Sequence, residues 1–171
     1  MPLKKPNKIP KIPKTRKKKT EAALAAIPAP KPDKVEYRCK AAFKYDSVEQ
    51  KQLSAFIIET AVEFTSFVYE ISVEVVKEKR EILILLLGLK SQTNLAPRVQ
   101  PARTEVFFED LIGEYKIKIV KQDGCINEAN MYFDKFNKNI KLLETYIPEK
   151  ENNRRFCEFL VAVEEFEFSD K

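Results

Sequence analysis

Histidine is absent from the 171 residues. Its absence removes the commonest general base and the commonest metal ligand together. No Ser-His-Asp or Cys-His site can therefore be assembled from this chain alone. Glycine is nearly absent, with Gly88, Gly113 and Gly124 as the whole complement, which argues against a Gly-rich phosphate loop and against flexible linkers. Cysteine is scarce, odd in number and widely spaced, at Cys39, Cys125 and Cys157. With no CxxC pair, neither a zinc knuckle nor a disulfide framework is indicated. Three reduced, half-buried thiols in a reducing compartment are expected instead. Long apolar runs are missing as well. The longest spans residues 82–87, where a membrane helix needs about 20 residues. Prolines interrupt the first thirteen residues and no apolar stretch follows, so no secretory leader is expected and the location is read as cytoplasmic or organelle-interior. Carboxylates remain for catalysis in Glu63, Glu70, Glu74, Glu109 and Asp110, but on alternating strands such acids are solvent-face residues. The expectation is a chain that is not an enzyme and holds no cofactor and no metal.

Positive charge is abundant, and it is concentrated at one end. Residues 1–34 hold eleven Lys or Arg against two acids, a charge of +9, whereas residues 35–171 hold twenty against twenty-four, a charge of −4. Within 4–19, KKPNKIPKIPKTRKKK, there are nine cations, three prolines and no acid. A helix through Pro6, Pro10 and Pro13 would lose about 3 kcal/mol at each ring. Too little apolar mass is present to offset ordering. A disordered or extended arm follows, with polyproline II as its local conformation. That helix has three residues per turn, and Lys5, Lys8, Lys11, Lys14 and Lys17 recur every third residue. They would line one edge over roughly 37 Å at 3.1 Å per residue. Such a strip suits a phosphate backbone, which it would meet without base specificity. The candidate nucleic-acid contacts are Lys4, Lys5, Lys8, Lys11, Lys14, Arg16, Lys17, Lys18 and Lys19. An acidic protein or an anionic membrane surface is the alternative partner, and a bare solubility tail is the third option. After the lysines, residues 20–26 are helix-prone with Thr20 as cap, and Pro28, Pro30 and Pro32 make a stiff spacer. The domain boundary is placed near Lys34, giving an arm at 1–34 and a body at 35–171.

The body alternates. Val35, Tyr37, Cys39, Ala41 and Phe43 share one side of a strand, and Phe67, Tyr69, Ile71, Val73 and Val75 share one side of another. Residues 82–87 are apolar on both faces, as in a central strand. Further strands are expected at 104–109, 115–120, 126–133, 140–146 and 156–163, with 166–168 resuming after a bulge at Glu164–Glu165. Asp123–Gly124 is a hairpin signal, and 77–80 and 137–139 are polar turns. Residues 48–64 carry both periods: Ser47 and Gln50 resemble a helix capping box, while Phe56, Ile58, Thr60, Val62 and Phe64 alternate. The strand is favoured. The fold class is then all-β, an antiparallel sandwich of which the immunoglobulin-like arrangement is one form. The alternative is α+β with one helix at 48–64.

A second candidate surface is the acid-free stretch 90–103, KSQTNLAPRVQPAR, read as a long loop presenting Arg98 and Arg103. Arg154 and Arg155 are of a type to touch phosphate, but a plain solvated turn is the favoured reading of their segment. Aromatics fall mostly on the apolar phase, with Tyr115 beside Lys116 and Lys118 as the exception, so base stacking is not expected of the body. A globular body with a Lys/Pro extension is similar in architecture to many peripheral proteins of large ribonucleoprotein particles, a likeness of composition that covers about one fifth of the chain. The function expected is a non-enzymatic accessory subunit of a large assembly, with ribosome association as one form, whose arm binds RNA. The alternative is a protein–protein adaptor whose body docks on a partner complex. No integral membrane segment is expected.

Overall fold

The computed structural model describes Lys18, residues 31–93 and residues 95–169. The chain divides between Pro30 and Lys31. The second unit holds nine strands among the described residues: β1 (Tyr37–Asp46), β2 (Lys51–Phe64), β3 (Val68–Glu78), β4 (Glu81–Gln92), β5 (Gln100–Phe108), β6 (Gly113–Lys121), β7 (Ile126–Asp134), β8 (Asn139–Tyr146) and β9 (Cys157–Val161). They form two sheets, ordered β5-β2-β1-β9 and β3-β4-β6-β7-β8. The fold is an all-β sandwich. Most neighbours are antiparallel, but β1 pairs with β9 and β4 with β6 in parallel. The second pair arises because the chain leaves one sheet after β4, places β5 in the other, and returns as β6. The immunoglobulin-like form is not confirmed, since an immunoglobulin domain is built from two antiparallel sheets.

The pleat assigns the core. Successive residues of a strand face opposite sides, and the buried set follows that period: Cys39, Ala41 and Phe43 from β1, Ile82, Ile84 and Leu86 from β4, Ile117 and Ile119 from β6, and Ala129, Met131 and Phe133 from β7. Phe56 of one sheet meets Phe133 of the other edge-on at 5.8 Å, and Phe133 in turn meets Tyr115 at 6.2 Å. Each such ring withdrawn from water contributes about 2 kcal/mol.

Residues 51–64 are strand. Ile57 and Ala55 on the second face of β2 are fully buried like Phe56 and Ile58, so tertiary burial on both faces overrides the helical stripe. The Ser47 and Gln50 signal belongs to the β1–β2 turn, where Asp46 Oδ1 accepts the N–H groups of Val48 and Glu49. Four expectations are corrected. The connection after β4 covers residues 93–99 and not 90–103, because β4 extends to Gln92 and β5 begins at Gln100. The last strand stops at Val161, and Val163–Glu165 is a 3₁₀ turn followed by non-strand residues 166–169. The polar turn after β3 is confined to Lys79 and Arg80. All three thiols are free and buried, not half-buried, and burial pushes that of Cys157 up to about 12.

Two local features hold the architecture. Gly88 lies at φ +140°, opposite the register shift between Ser72 and Val73, a backbone state that a Cβ disfavours. Asn127 faces inward from β7 and is 2% exposed. Its Oδ1 accepts the N–H groups of Phe156 and Cys157 at 2.8 Å each, and its Nδ2 donates to the carbonyls of Arg154 and Ile126 at 2.8 and 2.9 Å. One amide thus ties the start of β9, in one sheet, to β7 in the other. Asn127→Leu strands two buried donors and at least one acceptor, at about 1–3 kcal/mol for each group that finds no water. The expected outcome is a loss of about 3 kcal/mol, read from the midpoint of urea unfolding.

Candidate nucleic-acid interface

Of the candidate contacts in the arm, Lys4, Lys5, Lys8, Lys11, Lys14, Arg16, Lys17 and Lys19 lie outside the described residues, as do the helix-prone 20–26 and the spacer prolines at 28 and 30. Lys18 is exposed and has helical backbone, so polyproline II does not hold at that position. The geometry that follows is that of the second unit.

About half of its cations are engaged by its own acids. On the outer face of the first sheet, Glu59 of β2 and Arg103 of β5 are directly opposed. Arg103 reaches Glu59, Glu105 and Glu165 at 2.6 Å each, and Lys40 of β1 reaches Glu59 at 2.9 Å and Glu165 at 3.4 Å. Partial burial works against the Arg103 charge, yet its bonds to Glu165 and Glu105 outweigh it and hold its pKa above the ordinary arginine value. The Arg103 guanidinium holds Glu165 below the usual carboxylate range. From sequence alone Arg103 is expected on a loop open to a partner. In the fold it is a strand residue inside a five-member charge network. Arg98 does sit on the connection between β4 and β5, exposed. The two arginines therefore do not form one surface.

A second network joins Glu36, Lys121, Asp123 and Arg154. Lys121 approaches Glu36 at 2.5 Å and Asp123 at 3.5 Å, and Arg154 reaches Glu36 at 2.6 Å. Burial works to raise the pKa of Glu36, but its bonds from Lys121 and Arg154 prevail and lower it. Only 5% of the Arg154 side chain is exposed, so it is not available to phosphate. Arg155 beside it is exposed. The candidate acids are dispersed: Glu70 accepts from Gln92, Glu109 from Lys51 at 3.1 Å, and Asp110 stands 4.0 Å from Lys135.

Tyr115 is 5% exposed and lies under Arg80 and Lys77, at 4.9 and 5.8 Å from its ring. It is a core residue and not a platform for a base. The ring that the sequence reading missed is Phe136, 78% exposed at the tip of the β7–β8 hairpin. It lines an open groove of about 490 Å³ together with Lys51, Lys135, Lys138 and Phe168. Its signal was an aromatic inside the turn DKFNKN, out of phase with either strand. Lys51 and Lys135 in that groove already face carboxylates, whereas Lys138 lies over the Phe168 ring at 4.6 Å. The groove is therefore of mixed charge. Among the described residues no helix is long and apolar enough to cross a membrane, and no group of His, Cys, Asp and Glu is arranged to hold a metal ion. No protein-family model, curated protein or solved structure matches the chain.

Arg103→Met removes a partner from nearly buried Glu59 and is expected to cost about 2 kcal/mol in urea unfolding. Arg98→Ser is expected to stay within about 0.5 kcal/mol of the parent. Acid titration tests the same network. A carboxylate whose folded pKa lies below its ordinary 4.5 contributes stability above that pH, and the contribution is lost as pH falls through the lower folded value. Glu165→Gln should therefore be less stable than the parent at pH 7 and should lose less on going to pH 3. Parallel slopes for the two proteins would remove the network from the account.

Proposed function

We propose that this protein is a non-enzymatic accessory subunit of a ribonucleoprotein assembly, with the basic arm laid along RNA backbone and the body contributing protein contacts. One observation carries the reading. The charge of +9 in residues 1–34 stands against −4 in residues 35–171, and four cations of the body, Arg103, Arg154, Lys40 and Lys121, are each held by carboxylates. A polyanion approaching those four would have to displace their partners, whereas the arm has almost no acid to displace. Lysines acting as point charges release counterions and confer affinity without sequence preference.

A protein–protein adaptor is the second reading, favoured by exposed apolar side chains around the β2–β3 and β4–β5 connections. Val62 is 57% exposed, Phe67 50%, Leu95 53% and Val99 66%. Exposed apolar residues gathered at one end of a sandwich suit a protein partner.

Deleting residues 1–20 is expected to abolish RNA binding, with the unfolding midpoint of the body unchanged. For the full chain, log K against log salt should fall with a slope of about −5 to −8. RNA affinity that survives the deletion overturns the reading, and a stable protein complex that survives nuclease treatment favours the adaptor.

A further inference from the structure

The two sheets differ by one strand, four against five. On one side of the sandwich they end in β9 and β8, which are not hydrogen-bonded to each other. Between these edges lies an open cleft of about 480 Å³, with Leu142, Thr145 and Ile147 on one wall and Cys157 and Phe159 on the other. Leu142 and Thr145 stand opposite Met131 and Ala129 in the ladder, and both of those belong to the core. Directly opposed residues share a face, so Leu142 and Thr145 point to the inside of the sandwich. Thr145 is nevertheless exposed, Leu142 is 36% exposed and Ile147 beyond them 42%. The inner face of β8 is only partly covered.

The strand beside the cleft carries unpaired backbone. Where β9 joins β1, the Tyr37 N–H donates to the Phe156 carbonyl at 3.1 Å and the Ala162 N–H donates to the Ala41 carbonyl at 2.9 Å. Backbone groups of a strand turn to its two sides at alternate residues, so Glu158 and Leu160 serve β1, while Cys157, Phe159 and Val161 turn theirs to the open side. The Cys157 N–H is taken by Asn127 Oδ1 at 2.8 Å. Among the described residues nothing bonds the N–H or C=O of Phe159 or of Val161. Phe159 is only 5% exposed, and backbone groups withdrawn from water without a partner are costly.

We propose that an extended segment of a partner protein adds to this edge as a fifth strand, antiparallel to β9, with alternate side chains in the cleft. Two N–H and two C=O groups at strand spacing call for the backbone of another strand, and antiparallel pairs are the more stable per residue. In that register the residues opposite Phe159 and Val161 each exchange two hydrogen bonds with them. Their side chains share the inner face and meet the wall of Leu142 and Thr145, so they are apolar. The residue opposite Glu158 points outward, beside a carboxylate held by Arg38 at 3.5 Å, which suits a lysine. One extended segment makes the two sheets equal in strand number, whereas a second sandwich brings both of its sheets to the place of one strand. The inference goes beyond the RNA reading and does not rest on it.

The probe is the peptide acetyl-Thr-Val-Thr-Val-Lys-Val-Thr-amide, titrated to about 1 mM into nuclease-treated full-length protein and followed by amide NMR. Laid antiparallel, its three valines stand opposite Val161, Phe159 and Cys157, and its lysine stands opposite Glu158. In the free protein the Phe159 and Val161 amides should exchange with solvent faster than those of Glu158 and Leu160. With a dissociation constant of about 100 µM, the peptide should slow them about tenfold. N-methylation of the first two valines, whose N–H groups face β9, should weaken binding about tenfold or more, whereas N-methylation of the middle threonine and the lysine, whose N–H groups face away, should leave it within about threefold. Val161→Pro removes a free N–H and no bond to β1, so it should fold, by thermal melt, and bind about tenfold more weakly. Leu142→Lys, changed at an exposed position, should weaken binding as well. No amide shift at the highest concentration, equal weakening by the two methylation patterns, or variants that bind like the parent overturn the proposal. So does a parent that self-associates in sedimentation velocity and becomes monomeric as Val161→Pro, since the edge then belongs to a second copy.

Discussion

The structure rests on the alternation imposed by the pleat. A β-strand turns successive residues to opposite faces, so strands that alternate in polarity acquire a common inside as soon as two sheets face each other. Phe56 and Phe133 meet across that interior at 5.8 Å, and the isoleucines of β4 and β6 fill the space beside them. The core explains why the two parallel pairs are tolerated. Parallel neighbours are slightly weaker per residue than antiparallel ones, but both pairs contribute residues to the core, including Ile84 and Ile119 from one and Ala41 and Phe159 from the other.

Polar groups then fix what hydrophobic burial leaves undetermined. Apolar packing is non-directional, and it does not by itself set the point where β9 joins the first sheet. Asn127 does so with four hydrogen bonds that no apolar side chain reproduces. The two charge networks act similarly at the surface. Arg103 links β5, β2 and the turn after β9, and Glu36 links Lys121 at the end of β6 to Arg154 before β9. An exposed ion pair contributes little, but Glu59 and Arg154 are nearly buried, and a charge at such a depth persists only when it is paired.

These networks bear on function because they occupy Lys40, Arg103, Lys121 and Arg154. The arm is almost purely cationic, whereas the body holds about half of its cations in ion pairs with its own carboxylates. This is the charge pattern on which the proposed division of labour rests, with polyanion contact assigned to the first 34 residues and protein contact to the rest. The apolar residues near residues 62–67 and 95–99 are parts of the body whose composition is not explained by its own folding.

The sequence by itself determined the class and most of the strands. Alternation at 37–43, 115–120 and 126–133 is a local property that survives any tertiary arrangement, and the Asp123–Gly124 turn lies where its backbone preference puts it. The charge division was equally legible, since it needs only counting. Residues 51–64 satisfied both periods, and only burial on both faces of β2 resolved them. Phe136 carried a mark in sequence, an aromatic out of phase inside a turn, but its exposure became evident only with the hairpin around it. Arg103 shows where reading the chain ended: an arginine in an acid-free stretch looks available, and the carboxylates that hold it come from residues 59, 105 and 165. The partners of a charge are set by which strands become neighbours, and strand order is a global choice among packings of similar local quality. For that reason the alternation could be read from the chain, and the order β5-β2-β1-β9, the parallel pairs and the occupancy of each cation could not.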